Sequence, residues 1–377
     1  MICWRPAEAA SESLIDAIKN GHEAEAARLI ASGADLSQVD DDGNTILIIG
    51  VTRSSNLVQA LLDQGADPGA TNAQGFNVLH CLAGQMYIPD HPRYVHYREN
   101  FYKYARLVLE KGVDVNTTTP QGWTPLMLAA RAGADDMIRL LLEYKAKLEL
   151  QDTSGKTAIH HAVSSLRPNA VRALIDAGAH INARDATGHT ALMLCSEKQG
   201  DPVLTASIAR LLLQAKADPD LQDDSGQTAS MKAAFLGNDR IRGLLKAAGA
   251  DQSGVNAMEL FKAIESKEDA MVEQLLKSTS PNLRDEQKRT PLMMAALNGN
   301  TGIVDMMLQL SADPNAEDDQ RRTPLFYACN FRDGHPNIHV LKSLISAGAE
   351  VNRKDSDGNT ALSLAIDSFS GDAEPIV

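Results

Sequence analysis

The sequence predicts an all-α solenoid, on three observations. One pattern recurs along almost the whole chain, with 33 residues separating Asp152 from Asp185 and Asp285 from Asp318. Aliphatic residues are abundant while aromatic residues make up only 4%, which suits thin helical layers. Gly, Ala and Asp or Asn return at the same place in each copy, where a helix must stop and turn. A period of this length means a stack of supersecondary units, none of which can bury its apolar face alone.

The clearest copy starts at Gly122 and reads Gly-Trp-Thr-Pro-Leu-Met-Leu-Ala-Ala, followed by Leu140, Leu141, Leu142 and then Asp152. The next starts at Gly155, with Thr157, His160 and His161, then Leu174, Ile175 and the run Gly178 to Asn182. Thr before Pro caps the first helix, and Pro is tolerated in a first turn because its missing N–H has no helical partner there. Gly65, Gly112, Gly178 and Gly348 suit the left-handed cap that ends the second helix.

These residues resemble the ankyrin repeat, in which Gly-x-Thr-Pro-Leu-His-x-Ala opens a helical hairpin and Gly-Ala-Asp-x-Asn closes it. The resemblance covers residues 12 to 367 and implies an ankyrin-repeat solenoid with short β-hairpin fingers. Finger starts, three residues before the turn glycine or its substitute, fall at 40, 72, 119, 152, 185, 223, 285, 318 and 355. Residues 12 to 37 form an earlier helix pair without a finger, residues 256 to 284 another pair, and the last finger leads only into Thr360 to Ile366. The expectation is ten helix pairs and one terminal helix.

Departures from the period mark where such a stack becomes specific. The intervals 72–119, 185–223 and 318–355 exceed it by about fourteen, five and four residues, all between the two helices of a pair. At 249–257 the register slips. That break reads either as a shortened finger inside a continuous stack or as the start of a second block with a fresh capping pair near Met258. The organisation is therefore an extension at 1–11, a first block at 12–251 with an insertion at 84–106, a second block at 252–367 and a tail at 368–377.

Composition narrows the function. With 36 Lys and Arg against 49 Asp and Glu the net charge is -13, which disfavours nucleic acid and anionic membrane and points to a protein partner. Cys3, Cys81, Cys195 and Cys329 lack metal-ligand spacing, so free thiols are expected, with neither metal nor cofactor. The N-terminus lacks a basic region followed by an apolar stretch, and no run approaches about 18 apolar residues. A cytoplasmic monomer is expected, or a secreted one if the chain is a bacterial effector.

Three features are candidates for partner binding. The insertion holds Tyr87, Tyr94, Tyr97, Tyr102 and Tyr104 with Phe101, His91 and His96, and tyrosine is enriched at binding hot spots. Tyr94, Tyr97, Phe101, Tyr104 and Val108 also share one helical face, a core stripe in the simpler reading, whereas Tyr87, His91, His96 and Tyr102 lie off it. The second feature is the row of residues after the turn glycine, among them Phe76, Trp123, Lys156 and His189, which the resemblance places on a concave face that receives the partner. In the simpler reading, Trp123 packs on the neighbouring finger.

The third is charge. Lys288 and Arg321 replace the turn glycine and are followed by Arg289 and Arg322, while Asp40 to Asp42 and Asp223 with Asp224 mark other fingers. Four cations on neighbouring tips would form a patch, partly offset by Asp285, Glu286 and Asp319, and a solvated face is the simpler reading; in the patch reading, reversing Arg289 and Arg322 would slow association while sparing stability. No catalytic motif is present, and the resemblance explains His160 and His161 as imidazoles tying fingers together. The reading is a non-enzymatic protein-binding module that occludes or inhibits its partner, as an immunity protein does a toxin. An adaptor or an effector is the alternative, and an enzyme with an unrecognised site in the insertion the remote one.

Overall fold

A computed structural model describes residues 12–53, 57–84, 94–329 and 337–370. The chain divides into two compact units, Met1–Ala250 and Asp251–Val377. Among the described residues there are 21 helices. In the first unit they are α1 (Leu14–Lys19), α2 (Glu23–Ala31), α3 (Ile46–Arg53), α4 (Val58–Asp63), α5 (Val78–Gly84), α6 (Tyr94–Glu110), α7 (Pro125–Ala132), α8 (Asp135–Glu143), α9 (Ala158–Ser164), α10 (Pro168–Asp176), α11 (Ala191–Ser196), α12 (Pro202–Gln214), α13 (Ala229–Phe235) and α14 (Asp239–Ala247). In the second they are α15 (Ser253–Glu265), α16 (Asp269–Leu276), α17 (Pro291–Leu297), α18 (Thr301–Gln309), α19 (Pro324–Cys329), α20 (Ile338–Ser346) and α21 (Ala361–Ser370). They form ten pairs and a terminal helix.

Local sequence sets each boundary. The Oγ of Thr124 accepts the N–H of Met127 at 3.2 Å ahead of Pro125, and Thr190, Thr228 and Thr290 repeat the cap. Second helices other than α16 end on a left-handed residue, as at Gly178 with φ 88°, where the Ala179 N–H returns to Leu174. Within each unit the first helices form one row, α5 on α7 on α9, and the second helices another, α8 on α10 on α12. Each unit has its own core of Leu, Ile, Val, Met and Ala.

The fingers are held by a carboxylate more than by strand pairing. Oδ1 of Asp152 accepts the N–H groups of Ser154 and Lys156, both at 2.9 Å, while the Asp152 N–H donates to the Lys156 carbonyl at 3.0 Å. The same set recurs at Asp185, Asp223, Asp285, Asp318 and Asp355. Antiparallel bridges among the described residues join Val39 to Thr45 and Lys354 to Thr360. Successive fingers then stack by backbone bonds, Thr153 N–H to Gln121 and Ala186 N–H to Ser154, each 3.0 Å. A Cβ on Gly155 would stand 2.4 Å from the Ala186 nitrogen, so the turn glycine sets the spacing as well as the turn.

The insertion lengthens the second helix of its repeat. Phe101, Tyr104 and Val108 of α6 are buried in the first core, so these members of the aromatic stripe are packing residues.

Candidate partner-binding surface

Each finger aspartate uses one oxygen on its own loop, and the second oxygen must find a donor, because a buried carboxylate without one is costly. In three repeats the first helix supplies it from nine residues on. Nε2 of His161 lies 2.9 Å from Oδ2 of Asp152, Nζ of Lys232 2.7 Å from Oδ2 of Asp223, and the Tyr327 hydroxyl 2.7 Å from Oδ2 of Asp318. That position defines the finger-facing side of the first helices.

His160 works across repeats. The backbone N–H and hydroxyl of Thr157 reach its Nδ1 at 3.2 and 2.9 Å, leaving Nε2 to donate to the carbonyls of Ala183 and His189 at 3.1 and 3.2 Å. His80 ties its repeat to the Trp123 carbonyl at 3.1 Å in the same way. Burial lowers the pKa of both imidazoles, and that of His161 to about 4 despite the adjacent Asp152. These histidines are fasteners.

Trp123 is half-buried and lies on His161 of the next repeat, with ring centroids 4.2 Å apart and the Arg131 guanidinium 5.4 Å over its ring. Phe76 meets His80 of its own repeat edge-on at 5.6 Å. Both rings expected to contact a partner are therefore engaged in packing within or between repeats. Lys156 is half-buried.

His189 sits in an ion cluster. Nζ of Lys232 donates to Oδ2 of Asp223 and Oε1 of Glu197, each at 2.7 Å, and lies 3.1 Å from Nε2 of His189, which itself stands 3.2 Å from Oδ2 of Asp223. Burial works against the ammonium, but the two carboxylates outweigh it and hold the Lys232 pKa above the usual lysine value. Burial likewise opposes ionisation of Asp223, yet Lys232 and the finger N–H groups lower its pKa to about 2. One turn further along α13, Phe235 is 77% exposed, beside this cluster in sequence and otherwise uncovered.

The basic fingers keep the turn shape, with φ 58° at Lys288 and 60° at Arg321. Their charges are largely matched: Lys288 pairs with Asp319 at 2.7 Å, Arg289 with Asp285 at 2.6 Å, and Arg322 with Asp318 at 2.9 Å while bonding the Tyr327 hydroxyl at 3.1 Å. Arg321 alone of the four extends, exposed, without a side-chain partner among the described residues. Arg289 and Arg322 thus complete their own fingers, contrary to the expectation that reversing them spares stability. Tyr102 stacks on Arg106 at 5.5 Å and accepts its N–H at 3.0 Å, and Arg106 also reaches Glu143 at 2.9 Å. Tyr87 and His91 lie outside the described residues; His96 belongs to α6, with no description of its side chain.

Sequence reasoning missed Phe235, Lys232 and Glu197. A signal existed: Lys232 replaces an apolar or aromatic residue nine positions after a finger aspartate. Cys81 and Cys195 are pushed up to about 12 by burial, which keeps them as thiols. No helix among the described residues is long and apolar enough to cross a membrane.

The family model for ankyrin repeats (3 copies) matches residues 95–185, 147–223, 260–355 and 292–374. The chain belongs to the ankyrin repeat family. Similar proteins include Protein PhlB of Serratia liquefaciens, 35% identical over 113 residues, which are 30% of this chain and 44% of that protein. Palmitoyltransferase AKR1 of Lachancea kluyveri is 34% identical over 104 residues, 28% of this chain and 13% of the enzyme. The nuclear factor NF-kappa-B p105 subunit of Gallus gallus is 29% identical over 179 residues, 46% of this chain and 18% of that subunit. In all three the shared segment is less than half of the relative. Among solved structures, the ankyrin repeat domain of Bcl-3 superposes with a TM-score of 0.51 at 23% identity, covering 63% of this chain and 100% of that domain. The ankyrin fold is in general a protein-interaction module, and in the palmitoyltransferase the matched repeats are a small part of an enzyme.

Proposed function

We propose that this ankyrin protein is non-enzymatic and occludes a protein partner with the finger-facing side of the first helices in its N-terminal unit. The observation that carries the reading is Phe235, an uncovered aromatic ring one turn from the Lys232–Asp223–Glu197 cluster. An aromatic anchor beside fixed charges is the arrangement that concentrates binding energy at interfaces. The cluster is already satisfied internally, so it holds the surface around Phe235 rigid and a partner pays no ordering cost there.

The proposed setting is the cytoplasm, which the unpaired thiols of Cys81, Cys195 and Cys329 support. The test is capture of partners by the whole chain, identified by mass spectrometry, beside Phe235→Ser and a chain lacking residues 85–100. Loss of one specific partner in Phe235→Ser, with the fold unchanged, is the expected result. Retention there with loss in the deletion would move the site to the insertion. An occluding inhibitor abolishes the captured partner's own activity at one-to-one stoichiometry; an adaptor leaves that activity intact and so overturns occlusion.

A further inference from the structure

Five of the junctions between consecutive loops after the second helices are stapled by one side chain each. Oδ1 of Asn116 accepts the N–H of Lys147 at 2.8 Å, and its amide donates to the Lys145 carbonyl at 3.5 Å. Asn282 does the same to Asp313 and Ser311 at 2.8 and 3.0 Å, and Asn315 to Glu350 and Gly348 at 2.8 and 2.9 Å. Asn182 accepts from Asp218 at 2.9 Å, and Glu149 stands in at its own junction by accepting from His180 at 2.8 Å.

The first two junctions lack the staple, the second because Gly69 stands at its position. At the first junction the equivalent residue is Ser37, whose hydroxyl turns back to Oδ1 of Asp35 at 2.7 Å. The groups a staple would take, the Asp67 N–H and the Gly65 carbonyl, have no partner among the described residues. A cleft of about 610 Å³ opens there, lined by Ser37, Gly65 and Asp67 and by the apolar Ile30, Ile46 and Leu47. The loop is otherwise built like its stapled counterparts: the Ser37 N–H bonds Oδ1 of Asp35 at 2.9 Å as the Asn116 N–H bonds Oδ1 of Asp114 at 2.9 Å.

We infer that this cleft is a second binding site, for a segment of a protein partner that inserts an asparagine or glutamine side chain. Its carboxamide oxygen accepts from the Asp67 N–H and its amide donates to the Gly65 carbonyl, reproducing the staple. A carboxamide makes both bonds, whereas a carboxylate, as Glu149 does at its junction, makes only the N–H bond and an ammonium only the carbonyl bond. The site lies on the loops after the second helices, away from Phe235, and does not depend on it.

The probe is N-acetyl-asparagine methylamide, titrated into the ¹⁵N-labelled whole chain, with N-acetyl-leucine methylamide as the apolar control. A saturable shift of the Asp67 amide resonance with the asparagine probe alone is expected, while the amides of Lys147, Asp218, Asp313 and Glu350 stay still. Ser37→Asn places the missing staple on a loop already shaped for it. It should raise the melting temperature and weaken the probe about tenfold, the equivalent of one hydrogen-bonded pair. Gly69→Asn, which acts on the next junction, should leave the Asp67 response unchanged. Equal shifts with both probes, movement at all junctions, or an unaltered response in Ser37→Asn would overturn the inference.

Discussion

Nζ of Lys232 lies 2.7 Å from Oδ2 of Asp223, and the two side chains are 6% and 3% exposed. The pair closes a finger in the way that His161 and Tyr327 close theirs, but with a full charge. Taking a lysine and an aspartate out of water is costly, and the cost is recovered only because every hydrogen on Nζ has an acceptor. Removing one partner therefore leaves an uncompensated charge.

Lys232→Met should destabilise the protein by about 3 kcal/mol, the usual penalty for breaking a buried pair. Adding Asp223→Asn should return part of the loss, since the stranded charge is then gone. Urea unfolding of the single and double variants measures both. A single variant within about 0.5 kcal/mol of the parent would show that water reaches the pair freely.

Stability should fall with acidification before the carboxylates titrate. The pKa of His161 is about 4 in the folded protein, against about 6.5 in an unfolded chain. Between those values the unfolded state binds more protons, so the contribution is complete above about pH 6.5 and is lost as pH falls toward 4. The span is worth about 3 kcal/mol for this residue, and His80 and His160 act in the same direction. Urea midpoints across this range should slope less in His161→Gln; an identical slope would place the protons elsewhere.

Trp123 and Phe235 should separate stability from binding. Trp123→Ala removes the ring stacked on His161 and should cost about 3 kcal/mol. Phe235→Ser exposes nothing new and should leave the melting temperature unchanged while weakening the partner. The reverse pattern would return Trp123 to the interface and Phe235 to ordinary surface.

Arg322→Glu should lower stability by roughly 2 kcal/mol, because it removes the guanidinium from Asp318 and puts a like charge beside that buried carboxylate. Arg321→Gly should instead raise it by about 1 kcal/mol, relieving a left-handed backbone that favours glycine. Thermal melts of the two neighbours should move in opposite directions. Equal shifts would mean that the finger turn, and not the ion pair, dominates this repeat.

Helix pairs, caps and fingers were legible because they rest on local rules: Thr and Pro start a helix, Gly ends it, and Asp folds its own loop. The sequence alone therefore determined the ankyrin architecture and its ten pairs with a terminal helix, while it left Phe101, Tyr104 and Val108 between a binding stripe and the core, which their burial decided. Contacts between repeats were not legible, since they depend on which side chain the next unit brings within a few ångströms. For Trp123 the sequence offered either a partner contact or packing on the next finger, and the stacking of the repeats sets it on His161. Arg289 and Arg322 form a basic patch on paper, yet the finger's return brings each guanidinium onto an aspartate four residues back. The cleft at Ser37 existed in the sequence only as a missing asparagine, and the tertiary structure gave that absence a volume by setting the spacing between loops.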